Sequence, residues 1–318
     1  MPKYESLLQL IAVHAKFRFF GAYHKGVLMN AADPSVDVLP LPATVALSPF
    51  PAALGLSVIP DDVEGTSLQE QLTTEHGLTQ CFSAVNATYG DADNRAQGTL
   101  FIGAYAYEFL LPVLASWLQA GQLPSLDLDN WQVKYEPTRV TKPNGEELVY
   151  HKPHFYLNAL IGWEQPAAKD WQAILHGALL RHFSPIVDAV AEQSGMREGP
   201  LWKVVADSIC IAFLMVGKHR DCEQAAREAA LSIVHQRGTP LYSKRSGFHD
   251  VTVYDPNDTQ TVLQTHSFRL RGGCCRIFTV DDHSYCSTCC FLKPDEQAKR
   301  LAEVACQREG VALDTQLR

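Results

Sequence analysis

Apolar residues recur along this chain in two rhythms, and each change of rhythm marks a change of element. Tyr4, Leu8, Ile11, Ala15 and Phe19 fall three and four residues apart, on one face of a helix that Gly21 ends. From Asn30 to Pro60 the period disappears among Pro34, Pro40, Pro42, Pro49, Pro51 and Pro60, which predicts loop and extended chain. Helical spacing returns over Ser67 to Ala87 and over Arg95 to Ala120. Pro112 inside the second helix removes a backbone donor and predicts a kink, and Gly121 marks the end. The period then shortens to two. Trp131 to Tyr135, Leu148 to His151 and Phe155 to Trp163 read as strands, with Asn144-Gly145 as a hairpin turn between the first two. Three more helices are expected, from Trp171 to Gln193, Leu201 to Val216 and Cys222 to Arg237. Beyond Gly238, short strands are expected at Val251 to Tyr254, Thr261 to His266, Phe268 to Arg271 and Ile277 to Val280. A last helix opens at Pro294, with Asp295 and Glu296 in its first turn. The sum is an α+β fold: a mainly helical body with a small antiparallel sheet, residues 1–265, followed by a C-terminal cysteine hairpin and helix, residues 266–318.

Composition narrows the class. With 46% hydrophobic and 19% charged residues in 318, the chain reads as an ordinary globular protein, long enough for a full core without staples. A net charge of -8 argues against nucleic acid as a partner, since neutralising phosphates needs a basic excess. The amino terminus lacks a basic region leading into an apolar run, so no secretory signal is expected. The longest apolar stretches, Thr99 to Trp117 and Leu201 to Gly217, carry Glu108 and Pro112, and Lys203 and Asp207. Both are expected as buried helices rather than membrane spans, with peripheral membrane contact left open. A cytoplasmic location follows, where thiols stay reduced, and nine cysteines then point to metal or redox chemistry rather than disulfides.

Five of those cysteines crowd into the segment from Arg271 to Cys290, four of them as Cys274-Cys275-x10-Cys286-x2-Cys289. Cys81, Cys210, Cys222 and Cys306 have no companions in sequence and are left out. Four thiolates suit a structural zinc, although its second pair is usually spaced and here it is adjacent. They equally suit an iron-sulfur cluster, and two pairs on either side of a turn favour two irons over four. His283 is not needed as a ligand beside four cysteines. Gly272-Gly273 is expected to allow a backbone conformation that side chains forbid, so that both vicinal sulfurs turn one way. On a strand, Arg269 and Arg271 share one face and lead to the first cysteine pair. Together with Arg276 they are candidates for cluster tuning or for receiving an anionic ligand, against the alternative of a solvated face. Lys244 and Arg245, in the preceding basic loop, are weighed in the same way. No glycine-rich dinucleotide fingerprint follows a predicted strand, so electrons are expected from a separate donor, a ferredoxin-like protein or a small reductant.

The Cys274-Cys275-x10-Cys286-x2-Cys289 pattern resembles the C-terminal motif of the FhuF-type ferric siderophore reductases. Looser similarity runs upstream, through Leu201-Trp202-Lys203-Val204-Val205-Ala206-Asp207-Ser208, Gly238-Thr239-Pro240-Leu241 and Ala104-Tyr105-Ala106-Tyr107. The chain departs from the pattern in an extra Cys290 and in its amino-terminal segment. The resemblance implies that Cys274, Cys275, Cys286 and Cys289 bind one [2Fe-2S] cluster. It also implies that the protein is a cytoplasmic enzyme releasing iron from imported ferric siderophores, of hydroxamate type, by one-electron reduction. Two readings of other classes remain beside it: an iron-sulfur sensor of iron or oxidant, and a zinc-stabilised module that binds a ligand without catalysis.

Overall fold

The computed structural model describes residues 56–59, 65–120, 123–141, 147–158, 163–164, 170–258, 260–280 and 283–313. The expected helix over Tyr4 to Phe19, the Asn144-Gly145 turn and the turn at Asp281-Asp282 lie outside these residues. Two compact units are distinguished, residues 1–40 with 137–151 and residues 41–136 with 152–318. Of the first, only the outer ends of two strands are described, where Arg139 and Glu147 meet at 3.8 Å, both well exposed.

The second unit is built on helices. Two short strands, β1 (Leu56–Ile59) and β2 (Thr66–Ser67), precede α1 (Leu68–Thr73) and α2 (Glu75–Tyr89). The single helix expected here is broken at Thr74, which is extended (ψ 151°) and caps α2 by accepting from the Gly77 amide. Gly77 makes the corner tight: a Cβ there would lie 2.4 Å from the Gln71 carbonyl oxygen, so the two helices meet backbone to backbone. Next comes α3 (Asn94–Ala120), begun by the Asp93 carboxylate accepting from the Ala96 amide at 2.7 Å and continuous through Pro112.

After β3 (Leu123–Pro124) and a 3-10 turn, β4 (Trp131–Thr141) and β5 (Glu147–Asn158) form the centre of a sheet ordered β1-β5-β4-β2. β2 runs antiparallel to β4, as expected, but β1 runs parallel to β5, from Leu56 opposite Phe155 to Ile59 opposite Asn158. β5 also passes unbroken through Pro153, which comes two residues before the stretch that pairs with β1. A short β6 (Trp163–Glu164) pairs with β3.

Three long helices complete the body: α4 (Trp171–Ser194), α5 (Glu198–His219) and α6 (Glu223–Val234). α5 is the axis. It packs most extensively on α3, where Ser208 Oγ donates to the Gly103 carbonyl at 3.0 Å and the two backbones approach closely. Around this contact Ile102, Ala106, Phe109, Val204, Val205, Ile209 and Phe213 are sealed from solvent, and burying each of the larger side chains is worth ~1.5–3 kcal/mol. α3 and α5 are also long and apolar enough to cross a membrane, but 78% and 72% of their apolar windows are buried inside the protein, so here they are core helices.

The chain ends in a hairpin and a helix. β7 (Gly247–Tyr254) and β8 (Val262–Leu270) are antiparallel, with Gly247 opposite Leu270. The separate strands expected over Thr261 to His266 and Phe268 to Arg271 are thus one strand. α7 (Pro294–Glu309) covers this hairpin through a small second core of Val253, Phe268, Leu301, Ala305 and Cys306. Ile277 to Val280, expected as a strand, is instead a 3-10 turn over Ile277–Thr279. Arg276 explains the difference: at φ 58° it reverses the chain, and its carbonyl then accepts from the Thr279 amide and hydroxyl.

Candidate metal centre

The cysteine segment leaves β8 at Leu270 and is fastened at once to α5. Asp207, fully buried in that helix, accepts from the Gly272 amide on Oδ1 at 2.8 Å and from the Gly273 amide on Oδ2 at 2.9 Å. Ser246 Oγ donates to the same Oδ1 at 2.6 Å. The two glycines are needed for space and not, as expected, for an unusual backbone angle: neither is among the residues with positive φ. A Cβ on Gly273 would stand 2.7 Å from the Val204 nitrogen, and one on Gly272 2.0 Å from Ser243 Oγ. A second tie runs to α3, where Thr99 Oγ1 donates to the Cys275 carbonyl at 3.0 Å.

The second cysteine group sits on a turn closed by the Cys289 amide donating to the Cys286 carbonyl at 2.9 Å. Gln297 of α7 donates to the Cys289 carbonyl at 3.1 Å, which anchors that turn to the last helix. Cys274, Cys275, Cys286, Cys289 and Cys290 then line one small cavity, together with Arg271, Gly273, Ile277, Phe278 and Tyr285. The four sequence-predicted cysteines are brought together, and so is Cys290, which sequence reasoning set aside. His283 is not among the lining residues.

Within the cavity the sulfurs act on one another in pairs, Cys274 with Cys290, and Cys286 with both Cys275 and Cys289. The contacts with Cys275 and Cys289 hold the Cys286 thiol far below the ordinary range, with Arg271 assisting. The Cys275 and Cys289 thiols are pushed up by the same contacts, and that of Cys274 by Cys290.

Arg271 is the cation of the site. Its Nη1 donates to Cys275 Sγ at 3.2 Å and to Cys286 Sγ at 3.8 Å, while its Nε lies 3.8 Å from Asp207 Oδ2. Burial alone would lower the guanidinium, but Cys275, Cys286 and Asp207 together raise it above its usual range. Arg269 shares the same face, as expected, and donates to the Asp207 carbonyl oxygen at 3.2 Å. Its guanidinium is lowered by burial and by Arg271. The solvated-face alternative fails for both. Arg276 points to the other side, 3.2 Å from Asp93 at the start of α3, while its amide donates to Cys274 Sγ at 3.3 Å. Lys244 and Arg245 are exposed; Arg245 acts on Cys290 through its charge.

Three features were missed in the sequence. Asp207 is one, and its signal was an acidic residue in the middle of an apolar helix. Thr99 is another, with no local signal at all. The third is a cluster of rings at the cavity: Phe278 and Tyr285 at 4.9 Å between centroids, with Phe291 5.9 Å from Phe278. Tyr285 is 41% and Phe291 60% exposed, so the cavity opens beside an aromatic surface.

The donor set fits a thiolate-bound metal or cluster in kind: five sulfurs on one cavity, a buried guanidinium and a backbone amide aimed at them. It is not preset in arrangement, since among the described residues no three Cys, His, Asp or Glu side chains are grouped to hold a metal ion.

Residues 99–243 match the family described as FhuF, ferric iron reductase FhuF-like transporter. That part of the chain is FhuF-like. The match begins at Thr99, includes Asp207 and ends at Ser243, and so contains the residues of α3 and α5 that hold the cysteine loop. The cysteine motif lies wholly outside the matched stretch. No curated protein matches the chain.

Proposed function

We propose that this protein is a cytoplasmic ferric siderophore reductase. A [2Fe-2S] cluster held by Cys274, Cys275, Cys286 and Cys289 would supply one-electron transfer. The observation that carries the reading is the convergence of those thiols on one cavity beside a buried arginine, docked on a FhuF-like body. The substrate is ferric iron held by oxygen donors, of hydroxamate type; ferrous iron is a softer, larger ion that such donors hold far less tightly, so reduction amounts to release. Arg271, in contact with two of the sulfurs, offsets negative charge that would otherwise oppose an incoming electron. Arg269 adds positive charge beside it, Arg276 contributes its amide to Cys274, and exposed Lys244 and Arg245 would receive an anionic chelate. In this division of labour residues 1–265 present the chelate and residues 266–318 carry the thiols, with electrons supplied by a ferredoxin-like protein or a small reductant.

Purification without air tests the reading first. Red-brown protein with two irons and two sulfides per chain is expected from a cluster of this type; colourless protein holding a single zinc would exclude it. Dithionite-reduced protein mixed with a ferric hydroxamate and a ferrous trap should then reoxidise as the trap fills. A cluster that no siderophore reoxidises would leave a sensor in place of a reductase.

A further inference from the structure

A carboxylate sealed in the middle of an apolar helix is costly unless its lone pairs are occupied. Asp207 meets that condition entirely through the site. Both of its oxygens accept from the glycine pair, Ser246 fixes one of them, and the Arg271 Nε faces the other at 3.8 Å. Its own carbonyl takes Nη1 of Arg269. One residue of α5 thus engages Arg269, Arg271, Gly272 and Gly273 in succession, and the thiols that Arg271 touches begin two residues later.

We propose that Asp207 is the positioning residue of the cysteine site: it ties the glycine pair to α5 and holds the Arg271 guanidinium against the sulfurs of Cys275 and Cys286. The Arg271 Nε meets Oδ2 as a charge and not as a hydrogen bond, which leaves Nη1 directed at sulfur. The Asp207 carboxylate bonds Ser246 and the glycine amides and faces Arg271, not the thiols of the cavity, so it acts through the residues it holds. Its influence on the redox centre rests on the reading above; its hold on the loop does not.

Two measurements on the full chain separate these. Hydrogen exchange read over the peptide containing Gly272 and Gly273 should rise at least tenfold in Asp207→Asn and stay near wild type in Arg271→Gln, whatever metal is bound. Unchanged exchange in a folded Asp207→Asn overturns the tether. If that variant does not fold, Ser246→Ala, which frees one side of the carboxylate, should raise exchange in the same direction, and no rise there overturns it equally.

The second measurement is the midpoint potential of anaerobically prepared protein. Arg271→Gln should make reduction about tenfold less favourable, a shift of ~59 mV for one electron. In an Asp207→Asn background the same change should shift it less than about threefold, because the guanidinium has already left the sulfurs. Equal shifts in both backgrounds would show that Asp207 does not position Arg271, with the cluster reading intact. A wild type that holds zinc alone sinks the cluster reading and this redox coupling with it, while the exchange result still decides the tether.

Discussion

His182 offers a test of the core that is independent of any metal. It lies in α4 with no exposure, its Nδ1 donating to the Leu126 carbonyl and its Nε2 accepting from the Tyr105 hydroxyl at 2.7 Å. Phe109 stacks on the ring at 4.2 Å between centroids. Protonation would put a second proton on Nε2, turn the Tyr105 bond around and place a charge between aromatic rings. Burial accordingly pushes this histidine from 6.5 down to about 4, with the Leu126 carbonyl and Asp127 opposing. In the unfolded chain it titrates at its ordinary value, so between the two values the unfolded state binds more protons. The contribution is fully present above pH 6.5 and is lost as pH falls toward 4. Moving from about pH 7.5 to about pH 5 should cost about 2 kcal/mol, rising to ~3.4 kcal/mol once both states are protonated. Urea unfolding of wild type and His182→Gln at both pH values checks this. Glutamine keeps a donor and an acceptor but does not titrate, and the groups common to both proteins cancel, including His176, His219 and His266, which burial also lowers. Wild type should lose about 2 kcal/mol more than the variant; equal losses would mean that His182 is not held neutral by its surroundings.

Two further outcomes follow from the cysteine segment. Gly273→Ala would drive a Cβ to 2.7 Å from the Val204 nitrogen and 2.9 Å from the Lys203 carbonyl carbon, helix backbone that cannot rotate away. It should cost ~1–3 kcal/mol, seen as a melting point several degrees lower, and an unchanged melt would refute the backbone contact. Cys290→Ser should keep the wild-type iron content, because four thiols remain and serine still reaches Cys274, whereas Cys289→Ser should lose it. Iron lost from the first variant and kept in the second would make Cys290 the fourth ligand.

Much of the helical body was legible because its signals are local. The apolar period of α3 through α6 and the turn residues between them locate these helices to within a few positions. Three features escaped these signals: a close helix corner, a strand partner distant in sequence and a single left-handed residue. The break at Thr74 depends on Gly77 meeting Gln71, β1 finds a parallel partner in β5 about a hundred residues away, and Ile277–Thr279 curls because Arg276 reverses the chain. For the site, cysteine spacing indicated which residues belong together and the alternation in β8 placed Arg269 and Arg271 on one face. It could not indicate Asp207 or Thr99, whose partners lie 65 and 176 residues along the chain. The purpose of Gly272-Gly273 was misread for the same reason: the need is room beside α5, which only the folded neighbour reveals.

Those two separations also order events in time. Synthesis runs from the amino terminus at roughly 5–20 residues per second, and domains tend to fold as they emerge. Thr99 and Asp207 are therefore made, and α3 and α5 can pack, before the ribosome reaches Cys274, the first cysteine of the cavity. The dock precedes the loop that it receives. Whatever the thiols hold has to be loaded onto a nearly finished protein, and a chain stopped short of Gly272 would keep a buried carboxylate without the two amides that satisfy it. Asp207 thus gains the last partners of its two oxygens only as about the final seventh of the chain arrives.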